Sequence, residues 1–198
     1  MALVIGITGR NCAGKDTVAR ALTTRGFESY SLSDVLREEL RRRGEEITRP
    51  ALIALGNELR AAEGPGVLAR RVQAMMKTDR VALVSVRNPT EVETLRELPH
   101  FVLLGVDAPV AVRFARESSR GRESAPATLE AFMELEEREN TADPNAQQLD
   151  ATMQLADHVL MNDGALEAFE TEVAALLSTL MADASLAEGA SPEEQAQA

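Results

Sequence analysis

Residues 1–17 read MALVIGITGRNCAGKDT, and the architecture of the chain follows from them. Residues 2–7 form a nearly continuous apolar run, which is typical of a strand buried on both faces of a parallel sheet. Residues 9–15 then match the spacing G-x-x-x-x-G-K, and a helical pattern begins at Asp16. In such a strand–loop–helix unit the glycines let backbone N–H groups converge on phosphate oxygens, while the helix N-terminus and the lysine supply positive charge. The stretch therefore predicts a site for the phosphates of a nucleotide.

The loop gives each of its residues a candidate role. Lys15 is expected to pair with the β- and γ-phosphate oxygens and to stabilise charge in the transition state of a transfer. The position after the lysine is usually Ser or Thr, whose hydroxyl holds Mg²⁺, but here it is Asp16, followed by Thr17. Asp16 and Thr17 are therefore candidate magnesium ligands, directly or through water. The predicted phosphate-binding residues are Gly9, Arg10, Asn11, Cys12, Ala13, Gly14, Lys15, Asp16 and Thr17.

Cys12 is the single cysteine of the chain, so no intramolecular disulfide can form, and this suits a reducing cytosol. Positive charge around the loop would lower the pKa of Cys12, but a small residue tolerated in the loop is a simpler interpretation than a redox role.

The composition indicates an ordinary globular protein. With 198 residues, of which 44% are hydrophobic, the chain can bury a core as one domain. A net charge of −11 disfavours binding to a nucleic acid polymer, and the absence of Trp argues against base stacking on single strands. No apolar stretch approaches the ~20 residues of a membrane span, and no signal-peptide pattern is present. We therefore expect a cytoplasmic protein with small-molecule ligands and no membrane partner, and the composition leaves the oligomeric state open.

Strands alternate with helices along the chain. Apolar runs predict strands over residues 3–8, 27–32, 80–86, 101–106 and 158–161. Helical patterns cover 15–25, 33–40, 49–62, 66–76, 109–117, 129–138 and 144–155, a helix begins after Asn88, and a last one ends near residue 180. The alternation predicts a three-layer αβα P-loop NTPase fold with a five-stranded parallel sheet. The segment 182–198 has no periodicity and is predicted to be an acidic disordered tail.

Residues 33–37, Ser-Asp-Val-Leu-Arg, follow the second predicted strand. Alone they would be a helix cap, an acid that complements the helix dipole and a solvated arginine. One βα unit after a phosphate loop, they resemble the acceptor-binding segment of nucleoside-monophosphate kinases, which reads as a small residue, Asp, two apolar residues and Arg. The resemblance implies that Arg37 binds the acceptor's phosphate and that Asp34 lies near the reacting oxygens or in the magnesium shell. It also implies acceptor-binding helices over residues 33–78.

The third strand lacks an acid that such kinases often carry. Their Asp stands at or just before the position of Ser85 and acts through magnesium, whereas this chain has Val84 and Ser85 there. Asp16 and Asp34 would then supply the carboxylates directed at the metal. Arg87 leaves the carboxyl end of the strand, where ligands bind in open α/β sheets, so it is a second acceptor-binding candidate, with a surface cation as the equally simple alternative.

Four arginines, Arg113, Arg116, Arg120 and Arg122, surround the polar segment SSRGRESAPA after the fourth strand. In an acidic chain this concentration of bases exceeds ordinary helix-surface charge, and it resembles the lid of small kinases, which closes over the phosphates and excludes water. We assign a short lid to residues 116–127. Arg120 and Arg122 are the candidates for neutralising the transferred phosphoryl group, and Arg116 is a candidate for donor binding.

Residues 155–164, LADHVLMNDG, combine Ala-Asp, a short apolar strand and an Asn-Asp-Gly turn. An edge strand with a turn is the simplest interpretation. The stretch also resembles the closing motif of dephospho-coenzyme A kinases and their relatives, where the turn lies beside the adenine. The resemblance makes Asn162 a candidate base contact.

Over residues 2–180 the order of these motifs resembles the P-loop kinases of small metabolites. The loop, the 33–37 segment, the stretch from Gly56 to Arg70 and the closing turn resemble an adenylate-kinase-like P-loop family found mainly in archaea. The Gly-Lys-Asp-Thr form of the loop resembles phage-type deoxynucleoside-monophosphate kinases and animal-type phosphomevalonate kinases. The resemblance implies a kinase domain over residues 1–181 that uses ATP and Mg²⁺.

The acceptor that the resemblance favours is a nucleoside or deoxynucleoside monophosphate. Two alternatives stay open. A dephospho-coenzyme A kinase is favoured by the closing motif, and a nucleotide-binding regulatory protein with little turnover is favoured by the missing acid of the third strand.

Overall fold

The structure, a computed structural model, describes residues 2–120 and 126–189. The strands are β1 (Leu3–Thr8), β2 (Glu28–Ser31), β3 (Arg80–Val84), β4 (Phe101–Asp107) and β5 (His158–Met161). The helices are α1 (Lys15–Thr23), α2 (Leu32–Arg43), α3 (Arg49–Glu63), α4 (Val67–Gln73), α5 (Pro89–Leu95), α6 (Val110–Ser119), α7 (Leu129–Glu139), α8 (Leu149–Gln154) and α9 (Leu166–Gly189).

The strands form one parallel sheet in the order β2–β3–β1–β4–β5. β1 lies at the centre of the sheet, and all of its residues are therefore buried. Leu3, Ile5 and Ile7 pack on the face covered by α1 and α9, whereas Val4 packs on the face covered by α2 to α5. The predicted three-layer αβα fold is thus confirmed, and the loop after β1 emerges at the middle of the sheet's carboxyl edge.

Two strands end before their apolar runs do. β3 ends at Val84 rather than at residue 86, because Ser85 has a left-handed φ of 66° that a strand cannot continue. β2 ends at Ser31, whose Oγ caps α2 by accepting a hydrogen bond from the N–H of Ser33 at 3.2 Å. Ser33, the predicted cap, therefore lies inside the first turn of the helix.

The helix predicted over residues 144–155 is wrong in its first part, because α8 begins only at Leu149. Nδ2 of Asn88 donates to the carbonyl oxygens of Pro144 and Ala146 at 2.8 and 2.9 Å. Those carbonyls would have accepted the i+4 bonds of a helix, so a tertiary contact replaces local helix formation here.

The apolar face of α9 continues past Leu180, where the helix was predicted to end, since Ala184 one turn later is also buried. α9 extends to Gly189, so the prediction that residues 182–198 are disordered is wrong for its first part, and the rest lies outside the described residues. Within the described ranges no helix is both long and apolar enough to cross a membrane.

Candidate functional site

The loop between β1 and α1 has a backbone shape that few residues can adopt. Gly9 and Gly14 have φ of 135° and 118°. A Cβ at these positions would lie 2.1 Å from the carbonyl oxygen of Val106 and 2.2 Å from Nδ2 of Asn162. α1 begins without a hydrogen bond from a side-chain cap, so no side chain occupies its N-terminus, where an anion can bind. The local geometry is the one that a phosphate-binding loop requires.

The side chains of three successive loop residues are held by carboxylates from later in the chain. These contacts are Arg10 to Asp150 at 2.6 Å, Asn11 to Glu139 at 3.4 Å and Cys12 to Glu117 at 3.0 Å. Because these side chains hydrogen-bond to α6, α7 and α8, residues outside the loop restrict its conformation. Its shape is therefore set before any ligand binds.

Lys15 is folded back onto this loop. Its Nζ donates to the carbonyl oxygens of Gly9 and Arg10 at 2.7 and 2.6 Å. Burial, reinforced by the charge of Arg87, lowers the pKa of Lys15 to about 7. Neutral carbonyls compensate an ammonium less well than an anion does, so the site favours an incoming phosphate.

The thiol of Cys12 is buried and donates to Oε2 of Glu117 at 3.0 Å. Burial and then this hydrogen bond raise the pKa of Cys12 to about 11, outweighing the charges of Arg120 and Lys15. The positive charge of the loop therefore does not lower the pKa of Cys12 below its ordinary value. The thiol stays protonated near neutral pH, as the structural interpretation expects.

A pocket of about 350 Å³, here called the α6 pocket, opens on one side of the loop. It lies between α1, α6 and the turn after β5. Its lining residues are Cys12, Gly14, Asp16, Thr17, Arg116, Ser119, Arg120, Asn162 and Leu166.

A cavity of about 410 Å³, here called the α3 cavity, opens on the other side. It lies between the loop, α2, α3 and the segment after β3. Its lining residues are Asn11, Leu32, Ser33, Leu36, Arg37, Ile47, Thr48, Arg49, Leu52, Ile53, Arg60, Leu68, Ser85, Arg87 and Gln147.

Arg116 and Asn162 support the loop. Arg116 donates to the carbonyl oxygens of Cys12 and Ala13 at 3.2 and 3.4 Å, and to Oδ1 of Asn162 at 3.0 Å. Nδ2 of Asn162 donates to the carbonyl oxygen of Ala13 at 2.8 Å. Both polar ends of the Asn162 amide are thus hydrogen-bonded within the protein. A contact between Asn162 and a base would have to replace one of these bonds, and it stays a prediction.

Asp16 and Thr17 line the α6 pocket beside the start of α1. The exposed carboxylate of Asp16 lies 3.5 Å from Nη2 of Arg120, which directly follows α6 and lines the same pocket. Arg122, the other predicted lid arginine, lies outside the described residues, as do residues 121–125 of the predicted lid.

The described residues contain no group of three or more His, Cys, Asp and Glu side chains arranged around a metal ion. A magnesium ion that binds with a nucleotide needs only one or two protein oxygens, because phosphates and water supply the others. Asp16 and Thr17 fit that requirement by position.

Asp34 and Arg37 are paired on the surface of α2, with Oδ1 of Asp34 2.7 Å from Nη1 of Arg37. Arg37 lines the α3 cavity, whereas Asp34 lines neither the α3 cavity nor the α6 pocket. The structure therefore brings Arg37 to the cavity and leaves Asp34 exposed at its edge.

Arg87 lines the α3 cavity and is half-buried, and desolvation lowers the pKa of its guanidinium. Nη1 donates to Oε1 of Gln147 at 3.0 Å, and the shielded Nε has no partner among the described residues. Arg87 therefore lines the crevice at the carboxyl edge of the sheet, and its contact with an acceptor stays a prediction.

Sequence reasoning missed buried charges around the same cavity. Arg60 is 5% exposed and donates from Nη2 to Oε1 of fully buried Glu91 at 2.8 Å. Arg49 makes two bonds of 2.7 Å to the buried carboxylate of Glu139. Each resembles a helix-surface charge in sequence, because its partner comes from a distant segment. The sequence carried one signal, a glycine four positions before Arg60 in a helical pattern, and in the structure a Cβ at Gly56 would lie 3.2 Å from Nη1 of Arg60.

No protein-family model matches the chain. Among solved structures, the shikimate kinase of Bacteroides thetaiotaomicron has a TM-score of 0.58 at 13% identity, over 90% of this chain and 98% of its own. The shikimate kinase of Acinetobacter baumannii, solved in complex with shikimate, has a TM-score of 0.57 at 15% identity, over 92% of this chain and 95% of its own. At such identities the likeness shows the fold alone.

Curated relatives match at higher identity. The UPF0200 protein of Hyperthermus butylicus is 34% identical over 181 residues, which cover 90% of this chain and 95% of the relative. The UPF0200 protein of Thermococcus kodakarensis is 30% identical over 187 residues, which cover 90% of this chain and 98% of the relative. Because these matches span nearly the whole of both chains, the protein belongs to the UPF0200 family.

Proposed function

We propose that this protein transfers the γ-phosphoryl group of ATP to a small phosphorylated metabolite, with a nucleoside or deoxynucleoside monophosphate as the foremost acceptor class. The observation that carries the proposal is the position of the β1–α1 loop between two cavities. Asn11 lines the α3 cavity, whereas Cys12 and Gly14 line the α6 pocket. A donor in the α6 pocket and an acceptor in the α3 cavity would therefore meet at this loop.

The donor phosphates would enter the loop and replace the partners that its charged side chains have now. Lys15 would leave the carbonyls of Gly9 and Arg10 for phosphate oxygens, and Arg120 would leave Asp16 for the transferred group. Mg²⁺, when bound, would neutralise phosphate charge, with Asp16 and Thr17 as the residues placed to hold it. Catalysis would then be mainly positioning and electrostatic stabilisation.

The absence of an acid at the end of β3 is compatible with a phosphate acceptor. The hydroxyls of Ser85 and Ser31 lie 3.2 Å apart at that position. In the transfer, an acceptor oxygen bonds to the γ-phosphorus while the bond to the bridging oxygen breaks and its electron pair leaves with ADP. A phosphate oxygen already carries its charge at neutral pH and needs no base, whereas a hydroxyl acceptor must lose a proton. This favours a monophosphate over dephospho-coenzyme A.

A panel of nucleoside monophosphates, deoxynucleoside monophosphates and dephospho-coenzyme A, incubated with radiolabelled ATP and Mg²⁺, tests the proposal. Transfer of label to a monophosphate supports it. Micromolar binding of ATP without phosphorylation of any acceptor would instead support the nucleotide-binding regulatory protein.

We expect ATP binding to weaken above neutral pH. Lys15 has a pKa of about 7 in the free protein. Bound phosphates favour its charged form and raise that pKa, so above pH 7 binding must take up a proton, and affinity should fall by up to about tenfold per pH unit. Calorimetry at pH 8 in two buffers of different ionisation enthalpy measures the uptake, and Lys15→Met should abolish it. Binding that is independent of pH between 7 and 9 would contradict this role of Lys15.

Arg37→Ala should raise KM for the acceptor far more than KM for ATP, because Arg37 lines the α3 cavity and not the α6 pocket. Loss of a charged hydrogen bond predicts an increase of about tenfold or more. Steady-state kinetics with each substrate varied in turn is the measurement, and Arg41→Ala on the exposed face of α2 is the control. Equal increases in both KM values would remove Arg37 from the acceptor site.

A further inference from the structure

The α3 cavity is lined by buried Arg60 and half-buried Arg87, whose hydrogen-bonding capacity is only partly used. Nε of Arg60 and Nε of Arg87 are both shielded from solvent and have no partner among the described residues. Both residues line the cavity, and Arg60 is 5% exposed. Buried N–H groups are nearly always paired in folded proteins, so two unpaired guanidinium donors in one cavity require an explanation.

The charges around the cavity are also unbalanced. Glu91 pairs with Arg60, and Glu139 is engaged by two bonds from Arg49. Arg87 has the neutral amide of Gln147 as its side-chain partner and no ion pair within the described residues. Arg87 feels the carboxylates of Glu139 and Glu91, but each of these pairs with another arginine, so a bound anion would offset the remaining positive charge.

The unused donors are suited to an oxyanion. Arg60 uses Nη2 for Glu91 and Arg87 uses Nη1 for Gln147, so each arginine keeps its other terminal nitrogen for a ligand. Guanidinium N–H groups form short, charge-assisted hydrogen bonds with the oxygens of carboxylate and phosphate, so one oxyanion can accept from both arginines. Gly56 leaves room for this arrangement, because a Cβ there would lie 3.2 Å from Nη1 of Arg60.

Glu91 holds both arginines in place before a ligand arrives. Oε1 accepts from Nη2 of Arg60 at 2.8 Å, and Oε2 accepts from the backbone N–H of Arg87 at 2.9 Å. One carboxylate thus fixes the side chain of one arginine and the backbone of the other. Such preorganisation reduces the entropy lost on binding.

We infer that Arg60 and Arg87 together bind one oxyanion group, a phosphate or a carboxylate, of a ligand in the α3 cavity. The inference rests on the proposed function for the identity of that ligand, which is then the acceptor. The apolar side chains of Leu32, Leu36 and Ile53 line the same cavity and would contact the body of the ligand. Arg37, which is 38% exposed and paired with Asp34, is then an outer contact rather than the main anion ligand.

The test is a thermal-shift titration with inorganic phosphate and, separately, with acetate at constant ionic strength. A saturating non-hydrolysable ATP analogue with Mg²⁺ occupies the β1–α1 loop, so a further rise in Tm reports a second anion site. We expect the wild type to respond to at least one of the two ions. Which ion responds distinguishes a phosphate from a carboxylate on the acceptor.

Arg60→Lys and Arg87→Lys should each raise the half-saturating ion concentration about tenfold, because lysine keeps the charge but loses the paired N–H donors. Arg71→Lys on α4 is the matched control, since Arg71 pairs with Glu63 and does not line the cavity. Circular dichroism and urea unfolding verify that each variant folds. If Arg60→Lys does not fold, the comparison of Arg87→Lys with Arg71→Lys provides the test.

No saturable response to either ion, or equal half-saturation in Arg60→Lys, Arg87→Lys and Arg71→Lys, would overturn the inference. Failure of the proposed function looks different. The ATP analogue would then leave Tm unchanged, or no acceptor would be phosphorylated, while the response to phosphate or acetate would still depend on Arg60.

Discussion

Lys15→Ala is expected to reduce phosphoryl transfer by at least about 10³-fold while the protein stays folded. The Lys15 side chain is a cation folded onto the loop between the two cavities, with its Nζ held by the carbonyls of Gly9 and Arg10. Loss of one preorganised hydrogen-bond donor to a transition state lowers the rate about 10²–10³-fold. Loss of a positively charged side chain that stabilises the transferred phosphoryl group lowers it about 10³–10⁵-fold. Transfer of label from ATP to the best acceptor of the panel is the measurement.

The chain offers a matched control for this experiment. Lys77 is its other lysine and is exposed after α4. Lys77→Ala should retain full turnover, and the two variants carry the same change in composition and charge. A Lys15→Ala preparation that turns over as fast as Lys77→Ala would remove Lys15 from the reaction.

The sequence predicted the central unit of the site well because its signals are local. The bounds predicted for β1 and β5 agree with the structure, and α1 begins at Lys15 as expected. An uninterrupted apolar run, two glycines at fixed spacing and a lysine act within one short stretch. No distant residue is needed to produce them, so spacing alone was informative.

The parts that were missed depend on contacts between distant segments. Arg60 and Glu91 are 31 positions apart, and Arg49 and Glu139 are 90 apart. In sequence each is an ordinary helical charge, and only the fold shows that three of them are buried. Residues 144–148 were assigned to a helix for the same reason, since the amide of Asn88 that binds their carbonyls lies far away.

The spacing of Asp34 and Arg37 along one helix also explains why only Arg37 lines the α3 cavity. The resemblance placed both at the reaction centre, but residues three apart on one helix pair with each other when the helix surface is exposed. Their 2.7 Å contact keeps Asp34 at the edge, while Arg37 reaches the α3 cavity. The pattern of residues 33–37 therefore predicted a segment that lies beside the α3 cavity, but it did not predict which of its side chains line that cavity.

Glu91→Ala is expected to lower the free energy of unfolding by about 3–5 kcal/mol, the usual cost of leaving a buried charge without its partner. Glu91 is fully buried, pairs with Arg60 and accepts the backbone N–H groups of Arg87 and Asn88 at 2.9 and 3.2 Å. Its removal thus leaves one guanidinium and two N–H groups without their acceptor. The measurement is urea unfolding, accompanied by a fall in Tm of about 10 °C for a chain of this size.

Two further variants separate the charge of Glu91 from its position on α5. Glu91→Gln keeps one acceptor oxygen and should lose less stability than Glu91→Ala, but its single oxygen cannot accept from both the Arg60 side chain and the Arg87 backbone as the two carboxylate oxygens do. Glu93→Ala on the exposed face of the same helix should change stability by less than about 0.5 kcal/mol. If Glu91→Ala were as mild as Glu93→Ala, Glu91 would not be what holds Arg60 and Arg87 together, and the preorganised oxyanion subsite would lose its physical basis.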